Sequence, residues 1–138
     1  ALEIGCRAGL LSKYLAEACK LCDGTLTTVE CNTPDDYFKF TENLTNISHI
    51  NGDILVYLKD DNTHFDVIVC NTQANLRSVC SQIILAMKRS ANEHIYLIDN
   101  KFPTCDIASL NKKLNSNGIE LLATNVKNLY LVQHKEEK

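Results

Sequence analysis

No apolar run in this sequence approaches the ~18 residues that a membrane-spanning helix requires, so no transmembrane helix is predicted. No basic excess is present either. Lys and Arg number 14 against 17 Asp and Glu, a net charge of -3. Domains whose main partner is a nucleic-acid backbone usually show a basic face, so nucleic acid is not the expected partner. The Lys112-Lys113 pair reads as a solvated helix face. There is no Gly-x-Ser-x-Gly elbow and no P-loop, which leaves hydrolase and nucleotide-triphosphate chemistry without support. Internal repeats, low-complexity tracts and linkers are absent. A signal-peptide pattern and an initiator Met are missing too. The chain opens directly in a strand, Ala1-Leu2-Glu3-Ile4, and this abrupt start predicts that the natural sequence continues upstream or was trimmed.

Cysteine is plentiful, at seven residues, but a second C-x-x-C pair is not there. Cys19 and Cys22 lack the further ligands a structural zinc site wants. They also end a helix, whereas a redox thiolate is stabilised at a helix start. The odd count, with most thiols in or beside apolar stretches as Cys70 is after Val67-Ile68-Val69, points to buried free thiols in a reducing compartment. The expected location is therefore cytoplasmic.

What is present is one domain's worth of chain: 138 residues, 45% hydrophobic and 22% charged. Residues 1–134 are read as the domain and 135–138 as a polar tail, fraying from His134 onward. Strand-like and helix-like segments alternate throughout. Leu2 to Ile4 reads as a strand and Leu10 to Cys22 as a helix, with Leu11, Leu15, Ala18 and Cys22 on one face. Thr25 to Val29 is a β-branched strand ending at Glu30. Thr33 as N-cap and Pro34 at the first helical position open a helix that runs to about Leu44. Ile47 to Ile50 is a short strand, and Asn51-Gly52-Asp53 turns into a helix carrying Ile54, Leu55 and Leu58. Phe65 to Cys70 is a dense apolar strand. Asn75 to Arg89 is a helix, His94 to Ile98 a strand, and Asp106 to Asn115 a helix. Ile119 to Thr124 and Leu129 to Val132 form a closing antiparallel hairpin. The predicted class is α/β: a Rossmann-like, doubly wound, mostly parallel seven-stranded sheet with that hairpin at its C-terminal end.

Ligands of such sheets bind beyond the carboxyl ends of the strands, where strand order reverses. The residues there are Gly5 to Gly9, Glu30-Cys31, Gly52-Asp53, Cys70-Asn71-Thr72 and Asp99-Asn100. A dinucleotide fingerprint would place glycine where Arg7 and Leu10 stand, which disfavours a nicotinamide-dependent oxidoreductase. The glycines that remain are Gly5 and Gly9, with Glu3 two residues ahead.

Glu3-x-Gly5-x-x-x-Gly9 resembles the first motif of the class I methyltransferases that use S-adenosylmethionine. The resemblance implies that the loop wraps the methionine part of the cofactor, with Glu3, Gly5, Cys6, Arg7 and Gly9 in contact. Glu30, with Cys31, resembles the strand-end acid that takes both ribose hydroxyls, a task suited to acceptor-only oxygens. Asp53 and Ile54 resemble the position beside the adenine, and Phe65-Asp66-Val67-Ile68-Val69 resembles the fourth-strand motif. Asn71 joins the cofactor set. Gly24-Thr25-Leu26-Thr27-Thr28-Val29-Glu30 and Ile98-Asp99-Asn100 are most similar to the small cation-dependent O-methyltransferases of the catechol and caffeoyl-CoA type. That likeness implies Mg²⁺ held near Asn71, Asp99 and Asn100, and O-methylation of a small molecule. The implied partners are that methyl acceptor and, as an open alternative, a second copy of the chain in a homodimer.

Several positions depart from the pattern. Arg7 replaces the middle glycine, where it points outward, crowds the cofactor carboxylate or pairs with it. Asn71 replaces a metal-binding Asp, which weakens a hard-cation site, and Ala74 replaces a lysine. No catalytic residue is assigned. A domain that keeps the fold without catalysis, as a binding or assembly module, is the alternative, and a methyltransferase acting on protein or RNA is a further one. Asp53 also suits a helix cap, Asn71 a loop hydrogen bond, and Asp99-Asn100 a turn before Pro103. The four histidines, His49, His64, His94 and His134, read as surface or strand-end residues.

Overall fold

The computed structural model describes residues 1–99 and 106–136. The elements in chain order are β1 (Leu2–Ile4), α1 (Leu10–Lys20), β2 (Leu26–Glu30), α2 (Asp36–Thr41), β3 (Ile47–Asn51) and α3 (Ile54–Asp60). They continue with β4 (Ile68–Cys70), α4 (Leu76–Met87), β5 (His94–Ile98), α5 (Ile107–Asn115), β6 (Ile119–Ala123) and β7 (Leu129–His134). The seven strands form one sheet in the order β3-β2-β1-β4-β5-β7-β6. The first five strands run parallel, and β7 lies antiparallel between β5 and β6. This is the Rossmann-like methyltransferase fold with its antiparallel end.

The chain moves outward from β1 to β3, then returns to place β4 on the other side of β1. Strand order therefore reverses between β1 and β4, and right-handed crossovers put the helices on both faces. Accordingly α1 packs with α2, while α4 packs with α3 and with α5. β1 is the buried axis of the sheet, with Leu2, Glu3 and Ile4 all at 0% exposure. Around it a single core runs from Ile54 and Leu58 through Ile68, Val79, Ile83 and Leu97 to Leu110 and Val132.

Local signals placed most elements. Asn75 caps α4 by accepting the Ser78 N–H at 2.9 Å, and Asp106 caps α5 through the Ser109 N–H at 2.7 Å. Four expectations needed correction. Thr33 does not cap α2; the helix begins later, at Asp36, and Thr33 turns its hydroxyl toward β3 instead. The dense apolar run forms a strand only over Ile68–Cys70, with Phe65 making an isolated bridge to Ser90. The face of α1 that enters the core carries Ser12 and Ala16, while Ala18 and Cys22 are exposed. Leu11 and Leu15 line an open apolar groove with Val69, Tyr96 and Ile98. Ser12 faces inward because a buried carboxyl, Glu3, waits there for its hydroxyl. His134, read as the start of the tail, closes β7 by pairing with Ile119.

Candidate functional site

The loop between β1 and α1 passes close over the end of β4. Gly5 has φ of +79°, and a Cβ there would lie 2.7 Å from the Asn71 carbonyl oxygen and 2.9 Å from Thr72 Cα. Gly9, at φ +87°, would put a Cβ 2.8 Å from Tyr37 Cδ2. Both glycines are therefore required by left-handed backbone and by contact. Arg7 shares the left-handed conformation at φ 49°, so the loop keeps the shape of a glycine-rich turn although its middle position carries a side chain. The Gly5 N–H donates to the Val29 carbonyl at 2.9 Å, and the Asn71 N–H to the Ile4 carbonyl at 2.8 Å, which fixes this loop against β2 and β4.

Beyond the strand ends, at the reversal of strand order, lies a cavity of about 360 Å³. Arg7, Glu30, Cys31, Ile54 and Asn71 all face it. Five expected residues from four segments thus meet at one site. Glu30 is held at its mouth: Oε2 accepts the Arg7 N–H at 3.2 Å, and Oε1 accepts the Cys31 N–H at 3.0 Å. A carboxylate has about four acceptor positions, so capacity remains for a ligand's hydroxyls. Cys31 stands beside it with its thiol pushed upward in pKa by burial and by the Glu30 carboxylate.

Other expected residues sit elsewhere. Glu3 is not on the cavity wall; it lies beneath the loop, fully buried, and takes the Ser12 hydroxyl on Oε2. Among the described residues Oε1 has no hydrogen-bond partner of good geometry, although the Asn71 side chain lies near enough to lower the carboxyl's pKa. Burial dominates, with Ser12 opposing it and Glu30 adding repulsion, and the Glu3 pKa is pushed up to about 7. Cys6 is 2% exposed and faces inward, its thiol pushed up to about 12 by burial first and then by Glu3 and Glu30. Asp53 caps α3, accepting the Leu55 and Val56 N–H groups at 2.7 and 3.2 Å, and borders a separate surface hollow with Gly52 and Tyr57.

The implied Mg²⁺ site at Asn71, Asp99 and Asn100 gains no support. Among the described residues no three His, Cys, Asp or Glu side chains come together in a way that could hold a metal ion. Asn71 is 8% exposed and Asp99 belongs to the next strand end, where its N–H meets the Asn128 carbonyl. Asn100 lies outside the described residues.

Two residues differ from the sequence reading: His49, read as a surface or strand-end residue, is half-buried within β3, and Gln82 was not singled out. His49 on β3 sits within a chain of hydroxyls. Its Nδ1 is 2.7 Å from Thr28 Oγ1, its Nε2 is 2.6 Å from Thr33 Oγ1, and Thr28 is 2.7 Å from the Tyr37 hydroxyl. Thr33 donates to Asn51 Oδ1 at 3.2 Å, which leaves its oxygen to accept from His49. This ordering assigns the proton to Nε2 and makes Nδ1 an acceptor. Burial lowers the His49 pKa, with Glu30 opposing. The second residue is Gln82 on α4, which reaches the cavity wall near Ile54. A lone His in a short strand and a Gln within an apolar helix carry no pattern that marks them.

This geometry, a seven-stranded reversed sheet with a tight glycine loop and an acid at the second strand end, defines the methyltransferase class of fold. No protein-family model and no curated protein matches the sequence. Solved structures do share the fold. A Podospora anserina methyltransferase with bound SAH is 18% identical at a TM-score of 0.71, over 98% of this chain and 71% of its own. The magnesium protoporphyrin IX methyltransferase of Synechocystis PCC 6803 with bound SAM is 14% identical at a TM-score of 0.65, over 95% and 66%. A Methanococcus jannaschii fibrillarin, a pre-rRNA processing protein, is 17% identical at a TM-score of 0.67, over 99% and 66%. The chain thus spans 66% to 71% of the length of these three neighbours. Among the described residues no helix is long and apolar enough to cross a membrane.

Proposed function

We propose that this chain binds S-adenosylmethionine in the cavity at the strand ends and transfers its methyl group to an oxygen of a small molecule. The observation that carries the reading is Glu30. Its carboxylate ends β2 at the cavity mouth, oriented by two backbone N–H groups and left with acceptor capacity for a ribose. Arg7 on the same wall suits the cofactor's carboxylate, because a guanidinium pairs such groups through two parallel N–H bonds. The bound cofactor supplies an electrophilic methyl on its sulfonium. The chain's own residues hold and orient it, which is the larger part of catalysis by positioning.

One observation favours a second reading. Among the described residues the cavity wall has no Lys or His to take a proton from an acceptor. A binding module that retains the cofactor site without chemistry fits that wall.

Isothermal titration with S-adenosylmethionine and S-adenosylhomocysteine, with and without Mg²⁺, tests the site. Binding in the micromolar range that Glu30→Ala weakens at least about tenfold is expected, the loss of hydrogen bonds to a charged group. No heat at millimolar ligand overturns the reading. Methyl transfer from labelled cofactor to hydroxyl acceptors then separates the enzyme from the binding module.

A further inference from the structure

Gln82 is 7% exposed on α4, and its Oε1 is buried without a hydrogen-bond partner among the described residues. Native proteins rarely leave a buried side-chain amide unpaired, and where they do an unseen partner is the usual reason. The partner has a direction to come from, since the same side chain forms part of the wall of the cavity that Glu30 and Arg7 border. Ile54 and Ala74 give that wall apolar surface, which suits the faces of a flat ring.

The chemistry of the ring follows from the amide. A primary amide presents one acceptor and one donor side by side in a plane. The matching edge has an N–H donor beside a ring-nitrogen acceptor, which is the N6/N7 edge of adenine, and Gln pairs with that edge bidentately in other settings. The wall's charged residues are Arg7 and Glu30, with no lysine, so a nucleoside suits it better than a nucleotide.

We infer that Gln82 reads the N6/N7 edge of the adenine ring and makes the site selective for 6-amino over 6-oxo purines. This rests on the proposed S-adenosylmethionine site and adds the residue that recognises its base. A 6-oxo purine presents two acceptors, O6 and N7, where adenine presents the N6–H donor and the N7 acceptor. Either order of the amide then meets one repulsive contact, because its oxygen must face one of the two acceptors.

The test is isothermal titration of the full chain with S-adenosylhomocysteine and S-inosylhomocysteine. Wild type is expected to prefer the adenosyl compound at least about tenfold, within the range of one bidentate pair. Gln82→Met, close in length and apolar, is expected to weaken adenosyl binding about tenfold and leave inosyl binding within about threefold, so the preference collapses. Glu30→Gln should weaken both ligands alike. Equal wild-type affinities overturn the inference without any variant. So does a Gln82→Met chain that keeps the preference; in both cases the cofactor site itself stands. Wild type that binds neither compound overturns both readings. Thermal melting of Gln82→Met at or above the wild-type temperature shows that its fold is intact.

Discussion

The main-chain N–H of Arg7 donates to Glu30 Oε2 at 3.2 Å and ties the first loop to the end of the second strand across the cavity mouth. The bond uses the backbone of Arg7, so its side chain is free to be replaced. Arg7 holds φ of 49°, a conformation that costs a non-glycine residue about 1–2 kcal/mol. Arg7→Gly removes that cost but adds unfolded-state entropy, so a net gain of about 0.5–1 kcal/mol is expected in urea denaturation. The same variant should weaken S-adenosylhomocysteine severalfold yet leave 5′-methylthioadenosine, which lacks the carboxylate, unchanged. Equal losses for both ligands would show that Arg7 does not pair with that carboxylate.

Gly5 and Gly118 separate conformational strain from contact. Both have positive φ, +79° and +72°, but a Cβ at Gly118 meets nothing within 4 Å. Gly118→Ala is expected to cost about 1 kcal/mol and Gly5→Ala about 3 kcal/mol or more, the difference being overlap with the Asn71 and Thr72 backbone. Chemical denaturation of the two variants checks this, and similar losses would place the Gly5 loop farther from β4.

Glu3 predicts an inverted pH response. Burial holds its pKa at about 7 against an ordinary 4.5. Between those values the native chain keeps a proton that the unfolded chain has lost, so stability falls as pH rises and levels off above about 7. The shift corresponds to about 3 kcal/mol. Glu3→Gln keeps the shape and removes the charge. Its stability relative to wild type should climb from pH 4.5 to 7 and then stay constant, as followed by urea melts at each pH. Taking the difference between the two proteins cancels the contribution of other groups. A flat difference would mean that Glu3 is hydrated or paired.

His49 responds in the opposite sense. Its pKa is lowered from 6.5, mainly by burial. The unfolded chain binds a proton first as pH falls below 6.5, and stability drops with it. Nitrogen NMR should find the Nε2–H tautomer at neutral pH, with Nδ1 accepting from Thr28. Thr33→Val should cost about 1 kcal/mol, one hydrogen bond's worth, and free the segment between Glu30 and α2. A histidine that titrates at 6.5 or above, or that carries its proton on Nδ1, would contradict the hydroxyl chain.

Much of this protein was legible in one dimension because the deciding interactions are local. Strand and helix alternate through residue periodicity, and parallel strands joined by short connections dictate a reversed sheet. Asn75 and Asp106 declare their helices by capping donors three residues on. The strand-end rule then gathers Arg7, Glu30, Cys31, Ile54 and Asn71 at one cavity, since every parallel strand points its carboxyl end the same way. Other features belong to the tertiary structure alone. Periodicity records which positions are apolar, not which polar side chain meets a buried partner. Ser12 outranks Ala18 for the inner face of α1 because Glu3 lies across from it. Thr33 leaves its helix because His49 on β3 comes within reach. Gln82 looks like a polar residue on the outer side of an apolar helix until the fold buries it at the cavity wall. In each case the energy comes from pairing polar groups after water is excluded, and only the assembled sheet and helices exclude it.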